Sequence, residues 1–475
     1  MPCLLKRTLL AVSLLCFWSS LPAIAQSAPT NPPNSLPTAL AAEIDACVHE
    51  VLEQSRMPSA SLAIVQDGKL AYLKAYGKAR IAPHELPATT ETRYGIGSVS
   101  KQFVAAAVLL LAEDGKLKLD DPVGKYLDGL TRGDEITIRQ ALNHTSGYRD
   151  YWPQDFVFPA MLEPATPSDI LKQWAKVPLD FDPGDQWQYS NTGYTAVGQI
   201  VEKVSGQPLM QFMRARIFEP LKMTKTDEHD TKPLSAPDAG GYLRVALGPL
   251  RPAPKEGFGW LYAAGPLTMP ARDLALWNIS MIERSLLKAE SYEAMTTSVV
   301  VKKDDRDARY GLGVAIRRDD AGRRMIAHGG GVSGFLSENR IWPAERAAIA
   351  VLVNGEGASA HRAIADRISD ALFPAKGPDA EARAIFVRLQ RGSIDADQFT
   401  PNGQSYFTKA ALADAAAGLA PLGPVRGFVR QSTEERGGMT FRSYRCSCAK
   451  GVVNVAVRTL PDGRYEQYMV APELR

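Results

Sequence analysis

The sequence predicts an α+β fold. Strand-like runs lie near both ends of residues 40–372, and a long helical and irregular stretch separates them. No βαβ alternation occurs, so the sheet must be completed by segments far apart in sequence, with helices layered beside it.

Taken in order, Leu40 to Gln54 carries helical periodicity. Ser61–Gln66 and Lys69–Lys78 are strand-like and joined by Asp67-Gly68, a dipeptide that favours a tight hairpin turn. A helix is expected to begin at Ser98, run through Lys101–Glu113 and stop at Asp114-Gly115. Its Val104–Ala112 section is apolar on every side, as in a helix buried mid-domain. Pro, Gly and aromatics crowd Tyr148–Phe181, and Tyr194–Val204 is helix-like. Strand-like runs return at Gly311–Arg317, Arg323–His328, Leu336–Trp342 and Ala347–Asn354, before a helix over His361–Leu372. Phe373–Pro378 reads as a linker. Beyond it come two helix-like stretches and strand-like Met439–Cys448, Val452–Arg458 and Arg464–Val470, a small antiparallel meander turning at Pro461-Asp462-Gly463. Tyr444, Cys446 and Cys448 share one strand face, which reads as a packing face.

At 475 residues and 45% hydrophobic content, the chain can bury one large core and a smaller second one. Residues 1–25 read as a signal peptide: Lys6 and Arg7, apolar Leu9–Trp18, then Ala23-Ile24-Ala25. No later stretch reaches the roughly 18 apolar residues of a membrane span, so an exported chain, periplasmic or secreted, with no stable span after cleavage is expected. Residues 26–37 are a flexible Pro- and Ser-rich segment, 38–375 the main domain and 380–475 a small α+β appendage. Lys+Arg number 55 against 52 Asp+Glu, and loss of Lys6 and Arg7 brings the balance close to neutral, which excludes an electrostatic case for nucleic acid. Cys47, Cys446 and Cys448 remain after the leader and form no disulfide framework; a pairing of Cys47 with either of the others is left open. The six histidines include no pair at metal-ligand spacing.

Three motifs carry chemistry. Ser98-Val99-Ser100-Lys101 places a lysine three residues from a serine, on one helix face. A serine hydroxyl needs a base to become a nucleophile, and a lysine buried at the positive end of a helix holds its proton less tightly. Free N–H groups at that helix start, Ser98's included, point where an oxyanion would develop. Ser98, Lys101 and Tyr189 are therefore the catalytic candidates. In Tyr189-Ser190-Asn191 the phenol can relay a proton and the Asn191 amide can hold a substrate carbonyl and Lys101. In His328-Gly329-Gly330 the glycines let a substrate backbone approach like an added strand, and His328 supplies polar support. A second S-x-x-K match, Ser285-Leu286-Leu287-Lys288, lies in a charged stretch without partner motifs, as expected of a chance occurrence.

In order and spacing these motifs resemble those of the serine β-lactamase and penicillin-binding-protein superfamily, on its class C, DD-carboxypeptidase and family VIII esterase side. Leu142–Gly147, Gly265–Thr268 and Ala271–Asp273 also look like it, and His144 reads there as a loop organiser. The resemblance implies a five-stranded antiparallel sheet beside a helical region, with the site between them. It further implies an oxyanion hole from the N–H groups of Ser98 and Gly331, substrate binding by Asn191, His328, Gly329 and Gly330, and no cofactor. Gly329 stands where many relatives have a carboxylate-binding Thr. A lost hydrogen bond to a charged group is worth roughly 1.5–3 kcal/mol, so small esters, amides or D-peptides are favoured over β-lactams, unless an arginine such as Arg149 or Arg340 substitutes. A β-lactamase is the nearest alternative, and a non-hydrolysing sensor or scaffold for cell-wall peptides the alternative of another class. The C-terminal segment resembles the cystatin- or NTF2-like units that follow such domains.

Overall fold

The structure, a computed structural model, describes residues 34–473 apart from 155, 303–304, 320–321 and 375–376. The expected leader and most of the Pro/Ser-rich segment lie outside the described residues.

Helix α1 (Thr38–Ser55) leads into hairpin strands β1 (Ser59–Gln66) and β2 (Lys69–Arg80). Asp67 and Gly68 both take positive φ, 52° and 74°, the mirror-image turn that matches strand twist. Helices α2 (Lys101–Glu113), α3 (Asn191–Ser205) and α4 (Ala271–Glu283) belong to the middle of the chain. Ser190 caps α3 through the Gly193 N–H, and Gly206 at φ 72° closes its other end. Strands β3 (Asp305–Tyr310), β4 (Ala315–Arg318), β5 (Arg324–Val332), β6 (Phe335–Trp342) and β7 (Ala347–Val353) precede α5 (Ala360–Leu372).

The sheet has nine strands, in the order Leu86–Pro87, β2, β1, β7, β6, β5, β4, β3, Val299–Lys302. It is larger than the five-stranded expectation because short strands extend both edges. The chain's two ends meet where β1 pairs antiparallel with β7, Ile64 opposite Ile349. Alternation then sorts the core into two layers. Ala63, Val65, Ala350 and Leu352 face α2 and the helical region, while Leu62, Ile64, Ile349 and Val351 face α1 and α5. In α2 every residue from Lys101 to Leu111 is buried.

Three boundaries differ from the sequence reading. Ser98 lies in a 3₁₀ turn, Gly97–Ser100, that precedes α2, so the helix proper starts at Lys101. His328-Gly329-Gly330 sits inside β5, which continues to Val332 because β6 pairs with it as far as Phe335. Gly311–Val314 is a turn before β4. Gly313, at φ 71°, packs on the Lys101 carbonyl at a place where a Cβ would lie 2.6 Å from that oxygen.

After α5, helices α6 (Pro378–Gln390) and α7 (Lys409–Leu419) pack on strands β8 (Val425–Arg436), β9 (Met439–Cys448), β10 (Gly451–Thr459) and β11 (Tyr465–Pro472) around a separate apolar cluster. The meander therefore has four strands; β8, an edge strand dense in charge, carries no strand-like apolar run in the sequence. Tyr444, Cys446 and Cys448 do face that core. Cys47, Cys446 and Cys448 are free thiols, with the sulfurs of Cys446 and Cys448 3.8 Å apart. Thus the two side chains share a face and also meet, which simple strand alternation did not suggest. Among the described residues no helix is long and apolar enough to cross a membrane.

Candidate active site

The site lies where the turn before α2, the N-terminus of α3 and strand β5 converge. Lys101 is fully buried, and its Nζ reaches Ser98 Oγ at 3.0 Å, Asn191 Oδ1 at 2.8 Å and the Ala264 carbonyl at 2.6 Å. This arrangement suits both protonation states. An ammonium donates to all three oxygens; a neutral amine donates to the two pure acceptors and turns its lone pair to the Ser98 hydroxyl.

Asn191 is held in the orientation this requires. Its backbone N–H donates to Asp150 Oδ1 at 3.0 Å and its side-chain Nδ2 faces Asp150 Oδ2 at 3.4 Å, which leaves Oδ1 toward Lys101. Burial raises the Asp150 carboxyl, while the Asn191 and Trp152 N–H groups and Lys101 draw it back down. Asp150 was not singled out from the sequence; its signal was its place three residues after Leu142–Gly147.

Tyr189 packs its ring 4.9 Å from Lys101 Nζ and 4.3 Å from the His144 ring. His144, at φ 66°, accepts the Ser190 backbone N–H on Nδ1 at 3.1 Å and so links the Leu142–Gly147 loop to the second motif. Burial, with Lys101 and His328 nearby, holds its pKa well below the ordinary range, and it is neutral. His328 is likewise pushed down, to about 3, by burial and Lys101. It therefore brings no positive charge to the site.

The structure brings Gly331 to Ser98. A Cβ on Gly97 would sit 2.7 Å from the Gly331 nitrogen and 2.9 Å from its carbonyl carbon, a close approach that only glycine at φ 49° permits. Ser98, Trp152, Asn191, Leu261, Ala264, Gly265 and Gly331 line one small cavity. The turn is braced by Ile96 N–H to the Leu267 carbonyl, 3.0 Å, and Leu267 N–H to Ser100 Oγ, 3.1 Å. Gly330 closes against Ile96 and Ser337. Gly329 does not itself line this cavity; a Cβ there would lie 3.3 Å from Glu338 Oε2 and 3.8 Å from Arg362 Nη2. Of the two arginines named from sequence, Arg340 is consumed by Glu338 at 2.9 Å and Asp366 at 2.7 Å, and Arg149 by Asp180 at 3.0 Å. Arg362, on α5, is the one beside Gly329. By contrast, Ser285 and Lys288 of the second S-x-x-K match are exposed.

The sequence profile of the Beta-lactamase family matches residues 44–373 and so spans every group described above. The chain belongs to the Beta-lactamase family. A D-aminopeptidase of Brucella canis is 28% identical over 325 residues, 68% of this chain and 61% of its own length. A D-stereospecific amidohydrolase from a Streptomyces species superposes with a TM-score of 0.59 at 26% identity, covering 70% of this chain and 99% of that one. A penicillin-binding protein from Bacillus halodurans superposes at 0.60 with 26% identity, covering 69% of this chain and 100% of that one. The chain spans about three-fifths of the length of the curated relatives it matches. Among the described residues no cluster of ligands fits a metal ion.

Proposed function

We propose that the protein is an exported serine hydrolase that cleaves a small amide, ester or D-peptide through an acyl-serine intermediate. The observation that carries this reading is the Lys101 amine, 3.0 Å from Ser98 Oγ and held also by Asn191 Oδ1 and the Ala264 carbonyl. Ser98 attacks the carbonyl as Lys101 takes its proton, and the N–H groups of Ser98 and Gly331 receive the oxyanion. Tyr189 passes a proton to the leaving group and later draws one from the incoming water, while Asn191, His328, Gly329 and Gly330 position the substrate. A preorganised donor of this kind is typically worth about 10²–10³ in rate. No cofactor enters any step.

The names of the similar proteins, a D-aminopeptidase and a D-stereospecific amidohydrolase, support a D-configured amide substrate. Arg362 beside Gly329 favours a second reading, a substrate ending in a free carboxylate such as a D-peptide or a β-lactam. Glu338 Oε2 competes for that guanidinium at 3.9 Å, which weakens the reading. Export rests on the sequence of residues 1–25, and fractionation of cells expressing the full chain tests it. For the chemistry, purified protein is incubated with a p-nitrophenyl ester, a D-amino acid p-nitroanilide and a chromogenic cephalosporin, and the acyl-enzyme is sought by intact mass. The expected result is turnover of the first two substrates, with label on the Ser98 peptide and none in Ser98→Ala. Label elsewhere, or binding that persists in Ser98→Ala with no turnover by the parent, refutes the mechanism.

A further inference from the structure

Beyond Ala327, β5 is paired on one side only. The β4 register ends at Ala315 opposite Ala327, whereas β6 continues to Phe335 opposite Val332. The segment that carries Gly331 is therefore braced by the ladder from one edge, and His328 is the first side chain within it. His328 Nδ1 lies 2.6 Å from the Gly329 carbonyl and Nε2 lies 2.7 Å from the Tyr310 hydroxyl. A carbonyl only accepts, so Nδ1 carries the hydrogen. Nε2 then presents a lone pair, and Tyr310 donates to it. Tyr310, the last residue of β3, is buried, its ring 5.7 Å from His328 and 4.7 Å from His144.

The titratable and charged groups around His328 are Lys101 from α2, His144, Tyr189, Tyr310 and, from β4, Arg317, with Tyr194 hydrogen-bonded to Tyr310. Burial with two nearby cations keeps the imidazole neutral, so what Tyr310 can set is the orientation of the ring and not its charge. Burial also keeps the Tyr310 phenol protonated. We propose that Tyr310 is a positioning residue: its O–H, donated to Nε2, fixes the orientation of the His328 ring, whose Nδ1–H holds the Gly329 carbonyl so that Gly331 presents its N–H to Ser98. The proposal rests on the acyl-transfer reading above. Without the hydroxyl, the buried Nε2 lone pair loses its donor and one of the two bonds that orient the ring is gone. The ring then turns, and Nδ1–H leaves the line of the Gly329 oxygen 2.6 Å away. The carbonyl loses its donor, and the one-sided strand yields.

The test uses the full chain with ¹⁵N-labelled histidine and the variant Tyr310→Phe. In the parent, His328 shows the Nδ1–H tautomer by ¹⁵N shifts, with Nε2 at the value of a hydrogen-bonded acceptor; in Tyr310→Phe the Nε2 signal moves to the value of a free lone pair. On a p-nitrophenyl ester kcat falls about tenfold, part of what one oxyanion donor supplies, with KM changed less than threefold. In a His328→Ala background, Tyr310→Phe adds little further loss, since the effect runs through the imidazole. An Nε2–H tautomer in the parent overturns the proposal, a measurement that does not depend on the variant folding. So does an undiminished loss in the His328→Ala background. Failure of the parent to form any acyl-enzyme refutes the function reading instead, and leaves the tautomer result to decide the contact itself.

Discussion

Gly97→Ala is the sharpest test of how the turn and strand are fitted together. The new Cβ would lie 2.7 Å from the Gly331 nitrogen, 2.8 Å from its oxygen and 2.9 Å from its carbonyl carbon. All three are backbone atoms, so no side chain can swing away to relieve the overlap. Contact between unbonded heavy atoms is comfortable near 3.5–4.0 Å, so the strand and turn must part by roughly 1 Å. A left-handed φ of 49° costs a non-glycine residue about 1–2 kcal/mol, and overpacking adds about 1–3 kcal/mol. The same displacement moves the Gly331 N–H off the oxyanion, which is worth about 10²–10³ in kcat. Burst kinetics on a p-nitrophenyl ester, with urea unfolding alongside, measure both. The expected outcome is a folded, less stable protein whose acylation rate falls about a hundredfold while KM changes little. A variant that unfolds with a lowered urea midpoint but acylates within twofold of the parent would show that the fit of Gly97 to Gly331 is not what sets the oxyanion hole.

Replacing Lys101 by Ala removes the base and strands two buried acceptors, Asn191 Oδ1 and the Ala264 carbonyl. Acylation should drop about 10²–10⁴-fold with a measurable loss of Tm, and a rate within tenfold of the parent would argue that another group takes the serine proton. Gly329→Thr adds a hydroxyl beside Arg362, with its Cβ a tight 3.3 Å from the Glu338 Oε2 that must shift slightly; it should raise kcat/KM for a cephalosporin relative to a p-nitrophenyl ester by about tenfold. An unchanged ratio would remove position 329 from carboxylate recognition. On acidification, burial holds His328 at about 3 and both His229 and His361 at about 4, whereas the unfolded chain protonates them near 6.5. The unfolded state thus binds more protons between pH 6.5 and about 4, and stability is lost as pH falls through that window. Asp230, raised to about 6 by burial, opposes this, as do Asp150, Glu256 and Asp273, which burial also raises. The change in urea midpoint from pH 7 to pH 5 should carry less loss of stability in His361→Gln than in the parent, since the variant lacks this imidazole; an identical change in both would contradict the assignment.

Local sequence determined the parts of this protein whose physics is local. The buried helix α2, the Asp67-Gly68 hairpin and the three-residue spacing of Ser98 and Lys101 all follow from periodicity or turn chemistry. The pairing of β1 with β7 was implied by strands at both ends of a helical middle. Tertiary packing decided the rest. The 3₁₀ turn at Ser98 sets Gly97 directly on Gly331, a contact between residues 234 positions apart. Asp150 and Tyr310 entered the site through long-range contacts to Asn191 and His328, and neither lies in a motif. The charge of His328 depends on burial beside Lys101, and the arginine near Gly329 depends on how α5 lies against β6 and β7. The motifs name the reacting groups by chemistry that sequence carries directly. Their protonation, orientation and substrate contacts depend on distances that only the folded chain sets.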